Sequence, residues 1–197
     1  MLLRHGQTPM SVQKRYAGRS DPPLTEAGVQ QAAAAAKRLA AAGFGVIVTS
    51  PLLRTMQTAQ AVAAVTGAAV VTDDGFRETD FGAWEGLTFA EVRERWPAEL
   101  SAWLADPEIA PPGGESFTDV SARVIAALDR LLAARTGQTV LIVSHVTPIK
   151  TLVAAALLAP PAALYRMHLD VAALCEIDWY ADGPAVLRSF NDTSHLS

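Results

Sequence analysis

The sequence predicts an α/β fold, a three-layer sandwich with a mostly parallel central sheet between two helical layers. Three observations carry that expectation. Short β-type segments alternate with longer segments of helical period, the order that builds βαβ units. The run Thr139-Val140-Leu141-Ile142-Val143 is continuously apolar, as in a strand buried on both faces. Residues 25–42 are rich in alanine on one helical face, which lets a helix pack closely on a sheet.

Taken in order, Met1-Leu2-Leu3 reads as the end of a buried strand. It is shorter than the usual run of about five or six residues, which suggests a domain excised from a longer protein. Thr25 to Ala42 is the first long helix, with Thr25 as cap, Glu26 at the positive end of the dipole and Gly43 as stop. Val46–Thr49 is a strand, and Ser50-Pro51 opens a helix to about Thr66 with proline in the first helical turn. Ala69–Thr72 is another strand. Phe89–Asp106 is helical but broken by Pro97. Ser116, with Asp119 three residues on, caps a helix to Ala134. Thr139–Val143 and the helix Pro148–Leu158 follow. Ala172–Trp179 and Ala185–Phe190 form a strand pair joined at Asp182-Gly183-Pro184, and the tail from Asn191 reads as frayed.

The 197 residues suit one domain, and 50% hydrophobic with 18% charged residues marks a folded chain. A net charge of −4 offers no general attraction to nucleic acid or an anionic membrane, so an anion site has to be built locally. A single cysteine, Cys175, excludes an internal disulfide and any multi-cysteine metal site, and fits a reducing cytoplasm. The longest apolar stretch, Leu152–Ala159, is too short for a membrane span.

Chemistry is expected at the carboxyl ends of parallel strands. Two such ends bear histidine: Arg4-His5-Gly6-Gln7-Thr8 and Ser144-His145-Val146-Thr147-Pro148. Either alone reads equally well as a satisfied strand-end residue; the pair, among only four histidines, does not. Arg54 falls in the first turn of the second helix, where taken alone it reads as a solvated residue. Phe76 to Gly86 is a loop dense in acids, aromatics and glycine, a composition common in functional loops.

The motifs Arg4-His5-Gly6-Gln7-Thr8, Ser50-Pro51-Leu52-Leu53-Arg54-Thr55 and Ser144-His145 stand in the order and spacing of the histidine phosphatase (phosphoglycerate mutase-like) superfamily, which the chain resembles. Residues 21–28, the loop 78–86 and Gly113-Gly114-Glu115-Ser116 fit as well, so the resemblance covers residues 2 to about 150. It implies a phosphoglycerate mutase-like fold and a phosphomonoester hydrolase, an acid phosphatase, that works through a phosphohistidine. His5 is then the nucleophile and Glu78 the general acid, with Arg4, Arg54 and His145 around the phosphate and His145 a charged donor. Arginine forks match phosphate oxygens and stand in for a metal, so neither metal nor cofactor is implied. Asp80 is the rival acid, and Glu85 is assigned to bracing the loop. Gln7, Thr8, Ser11 and Gly18 are implied to line the substrate pocket.

Ser11 and Val146 depart from the family's usual asparagine and glycine, which bears on the substrate side. Arg15, Tyr16 and Arg19 read as surface in preference to substrate contacts, and Trp84, Trp96 and Trp103 as core or lid packing in preference to an aromatic-ended pocket over the site. The closest likeness is to α-ribazole phosphatases of cobalamin synthesis, and among those to the acid phosphatase domain that follows a ribonuclease H domain in actinobacterial bifunctional proteins. The partners implied are a small phosphorylated substrate and inorganic phosphate as product. The competing accounts are a mutase, which returns the phosphate to a bound acid, and a binding module without catalysis. A serine hydrolase is disfavoured, since no Gly-x-Ser-x-Gly elbow occurs.

Overall fold

A computed structural model describes all residues, 1–197. Its centre is a six-stranded sheet in the order β3-β2-β4-β1-β5-β6. The strands are β1 (Leu2–Arg4), β2 (Val46–Thr49), β3 (Ala69–Thr72), β4 (Leu141–Ser144), β5 (Leu174–Trp179) and β6 (Ala185–Asp192). The pairs β1–β4, β2–β4 and β2–β3 are parallel, while β1–β5 and β5–β6 are antiparallel. The mostly parallel α/β sandwich expected from the sequence is therefore present, and β5 and β6 form the expected antiparallel pair.

The helices are α1 (Pro9–Val12), α2 (Glu26–Leu39), α3 (Leu53–Thr66), α4 (Phe89–Arg95), α5 (Pro97–Ala105), α6 (Phe117–Ala134) and α7 (Val146–Ala156). Alternate strand residues face opposite layers, as the period of two demands. Leu3, Ile47, Leu141 and Val143 pack with Ala35, Ala36 and Leu39 of α2 and Ala59 and Val62 of α3. Leu2, Val46, Val48 and Ile142 face the other way, onto Val120, Val124 and Ala127 of α6 and Ile149, Leu152 and Val153 of α7. A third cluster, Phe81, Trp84, Val92, Leu100, Trp103, Phe117 and Leu164, unites α4, α5 and the loop after β3.

Capping explains the helix starts. Thr25 Oγ1 accepts from Gly28 N, and Ser116 with Asp119 forms a reciprocal capping box. Pro97 ends one helix and begins the next, with Trp96 between them. Three expectations need correction. Helix α3 begins at Leu53, not at Pro51, because Asp21 Oδ1 accepts from Leu53 N (2.6 Å) and takes the capping role from outside the segment. Helix α7 begins at Val146, two residues before Pro148, with His145 at its N-cap. The tail is not frayed: β6 runs to Asp192, and Asn191 donates to Asp170 Oδ2 (2.9 Å) and accepts from Asp170 N (2.7 Å).

No helix is long and apolar enough to cross a membrane.

Candidate active site

Strands β1 and β4 lie side by side in register, with Arg4 opposite Ser144, so the residues that follow them, His5 and His145, emerge together. Their ring centroids are 5.2 Å apart, and His5 N donates to Ser144 O (3.0 Å). The loop after His5 turns tightly against the start of α2. A Cβ on Gly6 would stand 2.5 Å from Gly28 O, and one on Gly28 would stand 2.1 Å from Gln7 O, so this crossing tolerates only glycine.

The His5 Nδ1–H donates to its neighbour's carbonyl, Gly6 O, at 2.8 Å. That bond selects the tautomer and leaves Nε2 with a free lone pair. Burial, followed by the Arg4 and Arg54 charges, holds the ring's pKa well below the ordinary histidine value, so it is neutral at physiological pH.

Arg4 donates from Nη1 to Leu169 O (2.6 Å), while its Nε is buried without a partner. Burial lowers its pKa to about 10, against the raising influence of Glu78. Glu78 is 7% exposed, and its Oε1 accepts from Thr79 N (2.8 Å) and from Thr147 N (3.2 Å) in the first turn of α7. The rival acid Asp80 is engaged elsewhere: it accepts from Gly82 N (2.9 Å) and pairs with Arg19 (3.0 Å).

A cavity of about 420 Å³ opens over these groups. Its polar lining includes Arg4, His5, Thr8, Ser11, Glu78 and Thr147, and its aromatic and apolar lining includes Tyr16, Phe81, Trp103, Phe117, Leu164 and Tyr165. Arg15, Val146 and Lys150 also contribute. No three His, Cys, Asp or Glu side chains come together in a way that could hold a metal ion.

The expected residues divide into two tiers. His5, Arg4, Glu78, Thr8 and Ser11 line the cavity; Arg54, His145, Gln7 and Gly18 do not. Arg54, expected as a phosphate fork or a solvated residue, is 1% exposed. It donates from Nη1 to Ser20 O (2.7 Å), from Nη2 to Ala17 O (2.8 Å) and from Nε to His145 Nδ1 (3.2 Å). Since Nδ1 accepts from Arg54, His145 carries its proton on Nε2, which contacts Ser50 Oγ at 2.8 Å. The ring is neutral, with burial first and the Arg54 charge next lowering its pKa, which corrects the expectation of a charged donor.

Gln7 turns away to accept from Thr25 Oγ1 (2.9 Å), at the cap of α2. Gly18 is a packing point: a Cβ there would lie 1.9 Å from Thr79 O. Glu85 does brace a loop, although the loop is 17–20, through Gly18 N (2.8 Å), Arg19 N (2.7 Å) and Ser20 Oγ (2.7 Å).

Tyr16, for which surface is preferred over substrate contact, belongs to the cavity wall, 4.8 Å from Phe81 and 6.0 Å from Trp84 by ring centroids. Arg15 also lines the cavity, paired with Glu91 (3.0 Å), and Arg19 is the exposed one. Trp84 and Trp103 pack edge to face at 5.5 Å, as core residues, and Trp103 faces the cavity too. Thr147 and Lys150 were missed. The available signal was a lone charged residue, Lys150, on α7, one turn after Val146.

Comparison with known proteins accords with this geometry. The family description "Histidine phosphatase superfamily (branch 1)" matches residues 1–193. Over 197 residues the chain is 52% identical to "Bifunctional protein Rv2228c" of Mycobacterium tuberculosis, covering 100% of this chain and 54% of that protein. The chain thus spans about half the length of the first relatives it matches. A "Probable phosphoglycerate mutase GpmB" of Cronobacter sakazakii is 37% identical over 203 residues, with 99% of this chain and 93% of that protein covered.

Among solved structures, Bacillus stearothermophilus YhfR superposes with a TM-score of 0.92 at 34% identity, covering 100% of this chain and 98% of that one. A mycobacterial glucosyl-3-phosphoglycerate phosphatase, Rv2419c, gives 0.89 at 34%, with 98% of both chains covered. A putative α-ribazole-5′-P phosphatase of Escherichia coli K-12 gives 0.88 at 30%, covering 97% and 94%. The match over residues 1–193 makes the chain a member of the histidine phosphatase superfamily, an α/β phosphoryl-transfer fold.

Proposed function

We propose that the protein is a metal-independent phosphomonoester hydrolase of the acid phosphatase type that uses His5 Nε2 as its nucleophile on a small phosphorylated metabolite. The observation that carries this reading is the Nδ1–H bond of His5 to Gly6 O, which leaves Nε2 unprotonated at the cavity wall. A phosphate dianion needs positive charge and in-line positioning more than it needs covalent help. Arg4 supplies the charge, with its unpartnered Nε as the spare donor.

In the first step the Nε2 lone pair forms an N–P bond as the P–O bond to the leaving group breaks, and Glu78 gives its proton to the departing oxygen. In the second, Glu78 takes a proton from water, the water oxygen bonds to phosphorus, and the N–P bond breaks to release inorganic phosphate. Arg54 and His145 act from behind His5, fixing one another and loop 17–20. The neighbour described as a putative α-ribazole-5′-P phosphatase makes α-ribazole phosphate, whose leaving group carries no carboxylate, one substrate of this class to assay. The proposal includes residues 1–197 forming one catalytic domain, the phosphatase half of a longer bifunctional chain whose other half is a ribonuclease H.

The test is alkaline quenching of wild type and His5→Ala on p-nitrophenyl phosphate in the presence of EDTA. Wild type traps an acid-labile phosphoenzyme and releases phosphate; His5→Ala does neither. Turnover by His5→Ala near the wild-type rate refutes the mechanism. A mutase is the second reading, favoured by the GpmB likeness, and would interconvert 2- and 3-phosphoglycerate instead of releasing phosphate from them.

A further inference from the structure

The cavity holds more than a phosphate, and its cations are unequally committed. Arg4 belongs to the reacting phosphate. Arg15 is neutralised by Glu91 (3.0 Å, from Nη1), and it also donates from Nη1 to Gly86 O (2.6 Å) and from Nε to Gln13 Oε1 (2.9 Å). Lys150 has no carboxylate within ion-pair distance. Its sole hydrogen bond is a long one, from Nζ to Leu164 O at 3.3 Å, so two of its three ammonium protons are uncommitted.

Lys150 stands on α7 one turn after Val146, and the Thr147 N–H of that turn holds Glu78. Its Nζ reaches Leu164 O, and the next residue, Tyr165, packs on Trp103 and Phe117, all of them lining the same cavity. Glu78 is the only acidic side chain in the lining. Burial lowers the Lys150 pKa, against the raising influence of Glu78, which lies beyond ion-pair distance, and with a smaller lowering from Arg4.

We infer that Lys150 is a specificity-determining residue that binds a carboxylate on the leaving group, so that the preferred substrates are phosphomonoesters of ring-sized, apolar alcohols or phenols carrying a carboxylate. This rests on the phosphatase reading above and assigns the other half of the same cavity. A carboxylate is the matching anion because one ammonium balances one charge; a second phosphate dianion would leave net negative charge against the aromatic wall. The aromatic residues supply the flat apolar surface for the body of the substrate.

The test compares 4-carboxyphenyl phosphate with its neutral isostere, 4-carbamoylphenyl phosphate, whose leaving group is electronically similar. The expected wild-type preference in kcat/KM for the carboxylate is tenfold or more, expressed mainly in KM. In Lys150→Met the ratio collapses to below about twofold, and Lys150→Arg keeps most of it. A wild-type enzyme that turns over both esters equally overturns the proposal without any variant. So does a Lys150→Met enzyme slowed equally on both, which would make Lys150 a positioning residue for Glu78. Failure to hydrolyse either ester refutes the phosphatase reading instead, and the proposal with it.

Discussion

Removing Arg123 should disable the acid more than it disables binding. This guanidinium donates to three carbonyls of the acid loop: Gly75 O (2.9 Å) and Arg77 O (2.8 Å) from Nη1, and Glu78 O (3.0 Å) from Nη2. The same group grips Glu115 at both oxygens, Nε to Oε1 (2.9 Å) and Nη2 to Oε2 (3.0 Å). Glu115 in turn accepts from Asp80 N (2.9 Å) and donates its own N–H to Asp80 O (2.9 Å). One ion pair therefore holds the backbone on both sides of Glu78. Burial pushes the Glu115 carboxyl up, but the Arg123 hydrogen bonds and the Asp80 amide outweigh it and hold the pKa below the usual value.

The magnitude follows from those contacts. Three lost carbonyl bonds cost about 1 kcal/mol each, since water replaces part of them. Stranding Glu115, whose side chain is 24% exposed, adds about 1–2 kcal/mol. Arg123→Met should therefore lose about 4–5 kcal/mol, a Tm drop on the order of 10 °C for a chain of this size. The sharper readout is kinetic. A loosened acid matters little for p-nitrophenolate, which departs without a proton, and a great deal for an alkyl oxygen, which does not. The ratio of kcat/KM on an alkyl phosphate to kcat/KM on p-nitrophenyl phosphate, which reports transfer to His5 and not the later water step that Glu78 also serves, should fall at least tenfold. Glu78→Gln should reproduce that ratio without the melting shift. A variant that melts lower but keeps the wild-type ratio would refute the positioning role and leave Arg123 as a strut.

Two further predictions concern stability. His5 and His145 have folded pKa values below their unfolded ones, so the unfolded chain binds more protons beneath about pH 6.5. Their stabilisation is complete above that pH and is lost on acidification, at up to about 1.4 kcal/mol per pH unit for each ring; Tm should fall between pH 7 and 5, less in His145→Asn, and a flat profile would count against two neutral buried rings. Gly18→Ala drives a methyl to 1.9 Å from Thr79 O and 2.5 Å from Glu85 Oε1, so loop 17–20 must lift. The cost is about 1–3 kcal/mol by urea unfolding, with activity lost alongside because Arg54 is anchored on that loop; wild-type stability in the variant would show that the loop is not closely docked.

What the sequence made legible was local or periodic. The apolar run into Ser144 announced β4, Ser116 with Asp119 announced the start of α6, and Pro97 announced the break between α4 and α5. The two histidines could be paired because strand ends in a parallel sheet share one edge. What escaped depends on partners distant in the chain. Nothing near Pro51 indicates that Asp21 caps α3, and nothing near Arg54 indicates that Ser20 and Ala17 turn their carbonyls to it. Gln7 and Gly18 sit in loops that pass close to the phosphate pocket, yet one turns to Thr25 and the other is pressed on Thr79. Lys150 was hidden for the opposite reason. It is the only charged residue of a helix that no motif marks, and only the fold shows which face meets the cavity.

The precision of the site comes from strand register more than from the catalytic residues themselves. His5 meets His145 because Leu2, Leu3 and Arg4 stand opposite Ile142, Val143 and Ser144. Leu2 and Ile142 face α6 and α7, while Leu3 and Val143 face α2 and α3, so both strands are clamped on both faces. A slip of β1 by one residue would exchange its two faces, put Arg4 where His5 stands and break the His5 N bond to Ser144 O. Short strands would ordinarily tolerate such errors, since few hydrogen bonds resist them. Here the register is also held from outside the sheet, by Gly6 N donating to Thr58 Oγ1 (3.1 Å) on α3 and by Ser144 Oγ donating to Phe76 O (2.7 Å) at the foot of the acid loop. Those two bonds tie the nucleophile to the helix of Arg54 and the strand of His145 to the loop of Glu78. The same contacts that set the register therefore set the distance between nucleophile and acid.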